Sequence, residues 1–143
     1  TFQELLEKTA QRLAEPAGVD PARLMEAFHA RETESSTVVG SGIAIPHVIL
    51  DGLPHAVMLL VRCRSGIRFP GHQNPVFALL MLVEGYEHRY FHLQALAALS
   101  RWAHEPDFLR CWMETPSMET LRDTLLEKHR VRCTLHLDAA AGI

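Results

Sequence analysis

The sequence predicts an α/β fold in which helices pack on both faces of a small mixed β-sheet. Helical patterns stand at both ends of the 143-residue chain, and two apolar runs lie between them. The runs Ala56–Cys63 and Val76–Val83 do not alternate between apolar and polar residues, which is typical of strands buried on both faces. The length favours a single domain spanning residues 1–143.

Two helices are predicted ahead of the sheet. Inward-facing residues recur at helical spacing over residues 2–14, namely Phe2, Leu5, Leu6, Thr9 and Leu13. Pro16 and Gly18 are expected to end this helix, because proline interrupts the backbone hydrogen bonds and glycine favours helix C-termini. Asp20, followed by a proline, is a typical N-cap and opens a second predicted helix that runs to about Arg31.

Short strands and turns are predicted in the middle of the chain. Glu34–Gly42 is rich in Ser, Thr and Gly, which indicates a loop or a short strand. Ile43–Ile45 is predicted as a short apolar strand that ends at Pro46. Gly52–Pro54 is predicted as a turn, and residues 65–66 as loop between the two buried strands.

Three helices are predicted after the second buried strand, which Gly85 closes. A leucine-rich stripe predicts a helix over His92–Ala103, and Asp107–Glu114 is predicted as a short further helix. Residues 115–117 cap a last predicted helix that reaches about His129. Val131–Leu137 is a candidate for one more strand.

Charge and composition exclude several functions. The net charge of −3 gives no basic surface for nucleic acid or anionic lipid, and no apolar run approaches the roughly 18 residues that span a bilayer. We therefore expect neither a nucleic-acid partner nor membrane insertion. The cysteines at 63, 111 and 133 are odd in number and far apart, which favours a reducing, cytoplasmic compartment. Cys63 and Cys111 are expected to be buried small hydrophobic residues.

The usual catalytic and metal-binding motifs are incomplete. His88 and His92 are spaced to share a helical face, but no third ligand follows at a telling spacing, so we expect no metal and no cofactor. The serines at 35, 36 and 41 lack a nucleophile elbow. Gly40 and Gly42 precede a strand rather than a helix, which argues against a dinucleotide site.

His47 has the most favourable surroundings for chemistry. It follows a predicted apolar strand, and strand ends are where α/β sheets present groups to ligands. Pro46 has a fixed φ and stiffens the chain beside it. A neutral imidazole is a nucleophile near neutral pH without a separate base. On the residues alone, a packed surface histidine is the commoner explanation.

A longer stretch resembles a known family. Residues 31–37, Arg-Glu-Thr-Glu-Ser-Ser-Thr, and residues 40–47, Gly-Ser-Gly-Ile-Ala-Ile-Pro-His, closely resemble the active-site signature of the mannitol/fructose class of IIA domains. These domains belong to the bacterial phosphoenolpyruvate-dependent sugar phosphotransferase system (PTS), and nitrogen-regulatory IIA proteins share the signature. The likeness runs from about Phe2 to Glu127, including the central strand, the helix that opens with His92 and the last helix.

The resemblance implies three site residues. His47 falls on the phosphoryl acceptor, Arg31 on an arginine beside the phosphoryl group, and His92 on a histidine near the acceptor. The alternatives without a functional role are a solvated Arg31 that pairs with Glu32 or Glu34, and a hydrated His92 at a helix N-terminus. Val48 stands where a small residue often follows the acceptor, which predicts a narrower approach for a partner.

The resemblance also implies what the chain does. The first hypothesis is a phosphoryl carrier, a phosphotransferase that accepts the group on His47 from an HPr-type phosphohistidine donor and passes it to a IIB domain. The second is a nitrogen-regulatory type of protein, whose phosphorylation state controls its binding to other proteins. The third is a IIA-like regulatory appendage of a transporter, without turnover. All three share one fold, so the fold does not choose among them.

Overall fold

The chain folds into five helices around a five-stranded mixed sheet in the computed structural model, which describes residues 1–129. The helices are α1 (Phe2–Ala17), α2 (Pro21–Glu34), α3 (Arg89–Ala103), α4 (Phe108–Glu114) and α5 (Met118–His129). The strands are β1 (Val38–Gly40), β2 (Ile43–Ala44), β3 (His47–Leu50), β4 (Val57–Ile67) and β5 (Val76–Gly85). A single 3-10 turn, Tyr86–His88, leads into α3.

Strand β5 is the centre of the sheet. β4 pairs with it in antiparallel register along one edge, from Val57 opposite Val83 to Arg62 opposite Ala78. β2 and β3 both run parallel to β5 and occupy its other edge at successive positions. β1 extends the sheet beyond β2 as an antiparallel hairpin partner. Because nothing in the described sheet pairs with the outer side of β3, that strand is an edge.

The short apolar strand ends at Ala44, so Pro46 lies just beyond its end, as the sequence predicted to within one residue. Pairing with β5 resumes one residue later, because the Pro46 carbonyl accepts a hydrogen bond of 2.9 Å from the Leu82 N–H and His47 lies opposite Leu82. Proline lacks an N–H donor but keeps its carbonyl, so the ladder is interrupted only over residues 45–46. His47 therefore begins β3 instead of ending the strand before it.

Helices cover both faces of the sheet, which confirms the predicted fold class. On one face, α1 and α2 pack on alternate residues of β4 and β5, with Leu5, Leu13, Leu24, Phe28, Leu59, Val61, Met81 and Val83 in the shared core. On the other face, α3, α4 and α5 bury the intervening residues, including Met58, Leu60, Leu80, Leu82, Leu99, Trp112 and Leu121. The two apolar runs lack alternation because both faces of their strands are buried.

Three element boundaries differ from the predictions because local hydrogen bonds extend the elements. α1 continues past Pro16 and ends at Ala17, and Gly18 closes it as predicted, because its φ of +65° lets its N–H bond the Glu15 carbonyl. Pro16 lies in the last turn of α1, so the hydrogen bond that it cannot donate is lost only at the end of the helix. α2 continues beyond Arg31 to Glu34. β4 passes through residues 65–66 to Ile67 with a register shift, so those residues are strand and not loop.

The remaining predictions lie close to the structure or outside it. α3 begins at Arg89, so His92 lies nearly a turn inside the helix and does not open it. α4 and α5 match the predicted helices to within one residue. The candidate strand Val131–Leu137 lies outside the described residues, and the single-domain prediction for residues 1–143 stays a prediction. In the part of the chain that the structure describes, no helix has the length and apolarity required to cross a membrane.

Gly42, between β1 and β2, is a glycine whose replacement should disturb the strands that lead to His47. Its φ is +81°, and a Cβ there would lie 3.0 Å from Leu109 Cδ2 and 3.1 Å from Phe77 Cδ2. Gly42→Ala combines left-handed strain with a tight contact, so we expect it to lower the free energy of unfolding by about 2–3 kcal/mol. Urea unfolding followed by circular dichroism measures this loss.

Two other glycines separate the two causes. Gly52 has a φ of +79° with nothing within 4 Å of an added Cβ, so Gly52→Ala should show the backbone strain alone, about 1 kcal/mol. Gly40 has neither a positive φ nor a neighbour within 4 Å, and Gly40→Ala should change stability by less than about 0.5 kcal/mol. Equal losses for Gly42→Ala and Gly52→Ala would refute the packing contribution.

Candidate functional site

His47 lies half-buried at the start of the edge strand β3, with one ring nitrogen committed to the backbone. Its Nδ1 is 2.7 Å from the carbonyl oxygen of Ile45, two residues earlier. Because a carbonyl oxygen only accepts hydrogen bonds, Nδ1 carries the proton in this contact. In the neutral ring, Nε2 then holds the lone pair. The backbone itself selects the tautomer and leaves Nε2 as the nucleophilic atom.

Arg31 contacts that free nitrogen. It lies in the last turn of α2, where its Nη1 donates to the Ser35 carbonyl at 2.7 Å and its Nη2 lies 3.1 Å from His47 Nε2. The guanidinium is a donor only, so it donates to the Nε2 lone pair, in agreement with the tautomer set by Ile45. The guanidinium thus bonds to Ser35 and His47. The alternative hypothesis, a solvated Arg31 paired with Glu32 or Glu34, is wrong.

His92 lies next to the His47 ring. The centroids of the His47 and His92 rings are 5.4 Å apart, and His92 is 4 % exposed. Its Nδ1 is 2.8 Å from Oε2 of Glu84, the penultimate residue of β5. The alternative hypothesis of a hydrated His92 is wrong, because α3 packs this ring against the sheet. The structure therefore brings Arg31, His47 and His92 together.

A buried carboxylate fixes the loop that leads to the site. Glu32 is 7 % exposed, and its two oxygens each accept a hydrogen bond of 3.1 Å from the Thr37 N–H. The hydroxyls of Ser36 and Thr37 also donate to it. The Thr37 carbonyl in turn accepts from the Ile45 N–H at 2.9 Å. Glu32 therefore holds Thr37, and Thr37 holds Ile45, whose carbonyl orients the His47 ring.

The environment keeps the His47 ring neutral. Burial is the main cause that lowers the pKa of His47 below its ordinary value, and the nearby charges of Arg31 and His92 lower it further. The hydrogen bond to the Ile45 carbonyl acts in the opposite direction, since it favours the protonated ring. The net effect keeps the Nε2 lone pair available at neutral pH. A neutral, oriented imidazole beside a guanidinium suits the acceptance of an anionic electrophile such as a phosphoryl group.

Two groups of residues here were missed by the sequence reasoning. Glu84 and Glu32 are buried acids, and the available signal for Glu84 was a charge at the end of a strand buried on both faces. Tyr86, Tyr90 and Leu93 are 58 %, 76 % and 62 % exposed beside the site. Their spacing of four and then three residues is the available signal of a common face.

Other sequence candidates fall away from the site or into the core. Cys63 is buried as predicted, and burial raises the pKa of its thiol to about 11. Cys111 is exposed, contrary to prediction, because α4 turns it away from the core. Val48 is 6 % exposed and packs under α1 and α2, so it does not narrow the approach to His47. Within residues 1–129, no three histidine, cysteine or acidic side chains are grouped to hold a metal ion.

The fold and the residues around His47 are those of one protein family, and comparison with known proteins identifies that family. The family model described as "Phosphoenolpyruvate-dependent sugar phosphotransferase system, EIIA 2" matches residues 1–128. The match covers most of the 143 residues, so the chain belongs to this family. Its function is accordingly of the phosphotransferase type, and the predicted resemblance to IIA domains is confirmed.

The relatives carry names from both branches of the family. A "PTS system fructose-specific EIIA component" from Haloferax volcanii is 34% identical over 104 residues, 72% of this chain and 68% of that protein. A "Nitrogen regulatory protein" from Bradyrhizobium diazoefficiens is 29% identical over 109 residues, 76% of this chain and 71% of that protein.

Solved structures show the same two branches. The crystal structure of nitrogen regulatory protein IIA-Ntr from Neisseria meningitidis is similar with a TM-score of 0.81 and 27% identity, covering 86% of this chain and 85% of that one. IIA mannitol from Escherichia coli has a TM-score of 0.70 at 19% identity, covering 87% of this chain and 89% of that one, a likeness of fold.

The contact between Arg31 and His47 predicts a measurable change in acidity. We expect Arg31→Met to raise the pKa of His47 towards its ordinary value, because a positive charge 3.1 Å from Nε2 opposes protonation. NMR titration of the His47 ring measures the shift. Arg23→Met removes an exposed arginine from the same helix and should leave the titration unchanged. An unchanged pKa in Arg31→Met would remove the charge of Arg31 from the account.

The lowered pKa of His47 also predicts how stability depends on pH. The unfolded chain takes up the His47 proton more readily than the folded chain, so this contribution is complete above the unfolded pKa, about 6.5. It is lost as the pH falls through the lower folded pKa. Unfolding in urea at a series of pH values should therefore show a steeper loss on acidification for the native chain than for His47→Ala. Parallel curves would contradict the lowered pKa.

Proposed function

We propose that this chain carries a phosphoryl group on His47 Nε2, taking it from an HPr-type phosphohistidine donor and passing it to a IIB domain. The observation that carries the proposal is the pair of contacts to one ring. Ile45 holds the Nδ1 proton at 2.7 Å, and Arg31 Nη2 lies 3.1 Å from the remaining nitrogen. That arrangement supplies an oriented nucleophile and a fixed positive charge at the point where an anion must arrive.

The transfer step requires no base. The Nε2 lone pair of His47 forms a bond to phosphorus while the P–N bond of the donor breaks, and its electron pair returns to the donor imidazole. The phosphorylated ring keeps its Nδ1 proton, which the Ile45 carbonyl continues to accept. The reverse exchange with an acceptor in a IIB domain discharges the carrier. Chemistry of this kind depends on in-line positioning and charge stabilisation, which this site offers.

Arg31 and His92 have different parts in the proposal. In the unphosphorylated chain, the Arg31 guanidinium bonds to His47 Nε2. On phosphorylation it shifts to the phosphoryl oxygens, for which its planar fork of donors is suited. Ser35 holds its other nitrogen and limits that movement to a small displacement. His92 lies close enough to donate to a phosphoryl oxygen from the opposite side.

An apolar stripe beside the site fits a protein partner. Tyr86, Tyr90 and Leu93 are exposed and spaced to form one face across the 3-10 turn and the start of α3. Exposed tyrosines and leucines next to a reactive group are typical of protein–protein contact surfaces, in which aromatic residues are enriched. His92 lies next to Leu93 in the chain, so a protein that covers the stripe also reaches the His47 region. We propose this docking stripe for the phosphodonor.

A second candidate function is that of a nitrogen-regulatory protein. The likeness in both sequence and structure to nitrogen regulatory proteins favours it. Phosphorylation of His47 by an HPr-type donor is common to both functions, and the output differs. A carrier passes the group to a IIB domain, whereas a regulator retains it and changes its binding to a target protein. Transfer from the phosphorylated chain to purified IIB domains separates the two. The transporter-appendage hypothesis predicts no uptake at all.

The first test is phosphorylation in a reconstituted system. Incubation with phosphoenolpyruvate, enzyme I and HPr should add one phosphoryl group to the chain, detected by intact mass under neutral or alkaline conditions. His47→Ala should take up none, because it lacks the acceptor nitrogen. His104→Ala is the matched control, since the His104 ring also bonds a backbone carbonyl, at 2.6 Å, but lies at the far end of α3.

Two results would contradict the proposal. Full labelling of His47→Ala would place the acceptor elsewhere, and an unlabelled native chain with an active donor system would favour the appendage hypothesis. His47 is only half-buried, so His47→Ala should lose no more than about 1–2 kcal/mol and remain folded. Circular dichroism of each variant verifies the fold.

The docking stripe predicts a change in donor affinity alone. Tyr90→Ala removes a ring that is 76 % exposed, so the fold should tolerate it while the apparent KM for phosphorylated HPr rises about 5- to 50-fold. The maximal rate should change little, because Tyr90 is not proposed to contact the phosphoryl group. Gln11→Ala, on the exposed side of α1, is the control. An unchanged KM would place the donor's contacts elsewhere.

A further inference from the structure

Glu84 is the most deeply buried acid among the described residues. Its exposure is 0 %, and it lies in β5 opposite Ile49 of β3. Two residues before it, Leu82 lies opposite His47, so Glu84 and His47 share the face of the sheet that α3 covers. Neither carboxylate oxygen has a hydrogen-bond partner within residues 1–129. A buried ionised carboxylate in this state is strongly destabilising unless a cation compensates it.

His92 is the basic group that the geometry offers to Glu84. Its Nδ1 lies 2.8 Å from Glu84 Oε2, at ion-pair distance, although the alignment falls short of a hydrogen bond. Among the described side chains, no other basic group is within ion-pair distance of Glu84. His92 is itself 4 % exposed, so water does not screen the contact. In so poorly solvated a place, a carboxylate and an imidazolium at this distance attract each other strongly.

We propose that Glu84 is a positioning residue that holds His92 as an imidazolium and directs its Nε2–H to the phosphoryl group on His47. The inference rests on the proposed function, since it assigns Glu84 to the same site. With Nδ1 committed to Glu84, Nε2 is the nitrogen of His92 that remains for the ligand. A carboxylate that orients a histidine in this way fixes both its ring and its protonation state.

The pair solves an electrostatic problem of the site. A phosphoryl group brings negative charge, and Arg31 already supplies one cation at His47 Nε2. A second buried cation would be repelled by Arg31 and desolvated, but a His92–Glu84 pair is neutral as a whole and still presents an N–H donor. The donor is positively charged, so its hydrogen bond to a phosphoryl oxygen is stronger than that of a neutral ring. No proton leaves His92 in the transfer.

The charged groups around the pair are few. From β3, His47 faces His92 at a ring separation of 5.4 Å, and its own pKa is lowered in part by His92. From α2, Arg31 reaches the same space through His47. His88 precedes His92 by one helical turn, in the 3-10 turn. Glu84 is the one acid among these neighbours.

Nitrogen-15 NMR of the unphosphorylated chain tests the ion pair directly. At neutral pH, both ring nitrogens of His92 should show the shifts of an imidazolium in the native chain. In Glu84→Gln, which keeps the shape of the side chain, His92 should show the distinct shifts of a neutral tautomer. A neutral His92 ring in the native chain would overturn the inference, and this measurement requires no variant to fold.

Kinetics with phosphorylated HPr tests the consequence for transfer. Glu84→Gln should lower kcat roughly 10- to 100-fold with little change in KM, because a charged donor to the phosphoryl oxygen is lost while the docking stripe is untouched. Glu84→Asp, which restores the charge at a shorter reach, should recover part of the rate. Glu87→Gln is the matched control, an exposed acid three residues further along the chain.

The outcomes separate the inference from the proposed function. Normal kcat in a folded Glu84→Gln would overturn the role of Glu84 even if His47 is phosphorylated. An imidazolium His92 in a native chain that takes up no phosphoryl group would overturn the proposed function and leave the ion pair in place. Loss of rate without a change in the His92 nitrogen shifts would mean a merely structural role and would also overturn the inference.

Discussion

The site depends on which nitrogen of His47 carries the proton, and a single backbone carbonyl decides it. Ile45 accepts from Nδ1 at 2.7 Å, so the lone pair lies on Nε2, towards Arg31. That carbonyl is well placed because its residue is held on both sides. The Ile45 N–H bonds to Thr37, and the Pro46 carbonyl bonds to the N–H of Leu82. The ring is therefore oriented by the sheet before any ligand arrives.

The end of α2 contributes both charge and scaffold through adjacent residues. Arg31 reaches towards the imidazole, while Glu32 turns inwards and accepts the backbone N–H and the hydroxyl of Thr37. Neighbouring residues on a helix point about 100° apart, so one can serve the site while the next anchors the loop. The short motif between α2 and β2 thus couples the guanidinium to the strand that presents His47.

Binding an anion in a partly buried site demands cations, and each cation that loses water needs compensation. Arg31 retains access to solvent and a carbonyl partner, whereas the ring of His92 is enclosed by α3 and β5. Glu84, at the end of β5, lies 2.8 Å from His92 Nδ1 and is the acid proposed to compensate it. Carrier and regulator share one fold, so the fold alone does not distinguish them.

Most of the fold and the candidate acceptor were predictable from the sequence. The unbroken apolar runs determine strands covered on both faces, and the helical stripes determine their covering layers. The sequence signature that ends at His47 indicated the family, and the same signature includes Arg31. Glu84 was not predictable in this way, since its contact with His92 joins elements whose pairing depends on sheet register and on the 3-10 turn that sets where α3 begins. Periodicity specifies which face a residue takes within its own element. Only packing of a helix against a strand decides which buried acid meets which imidazole.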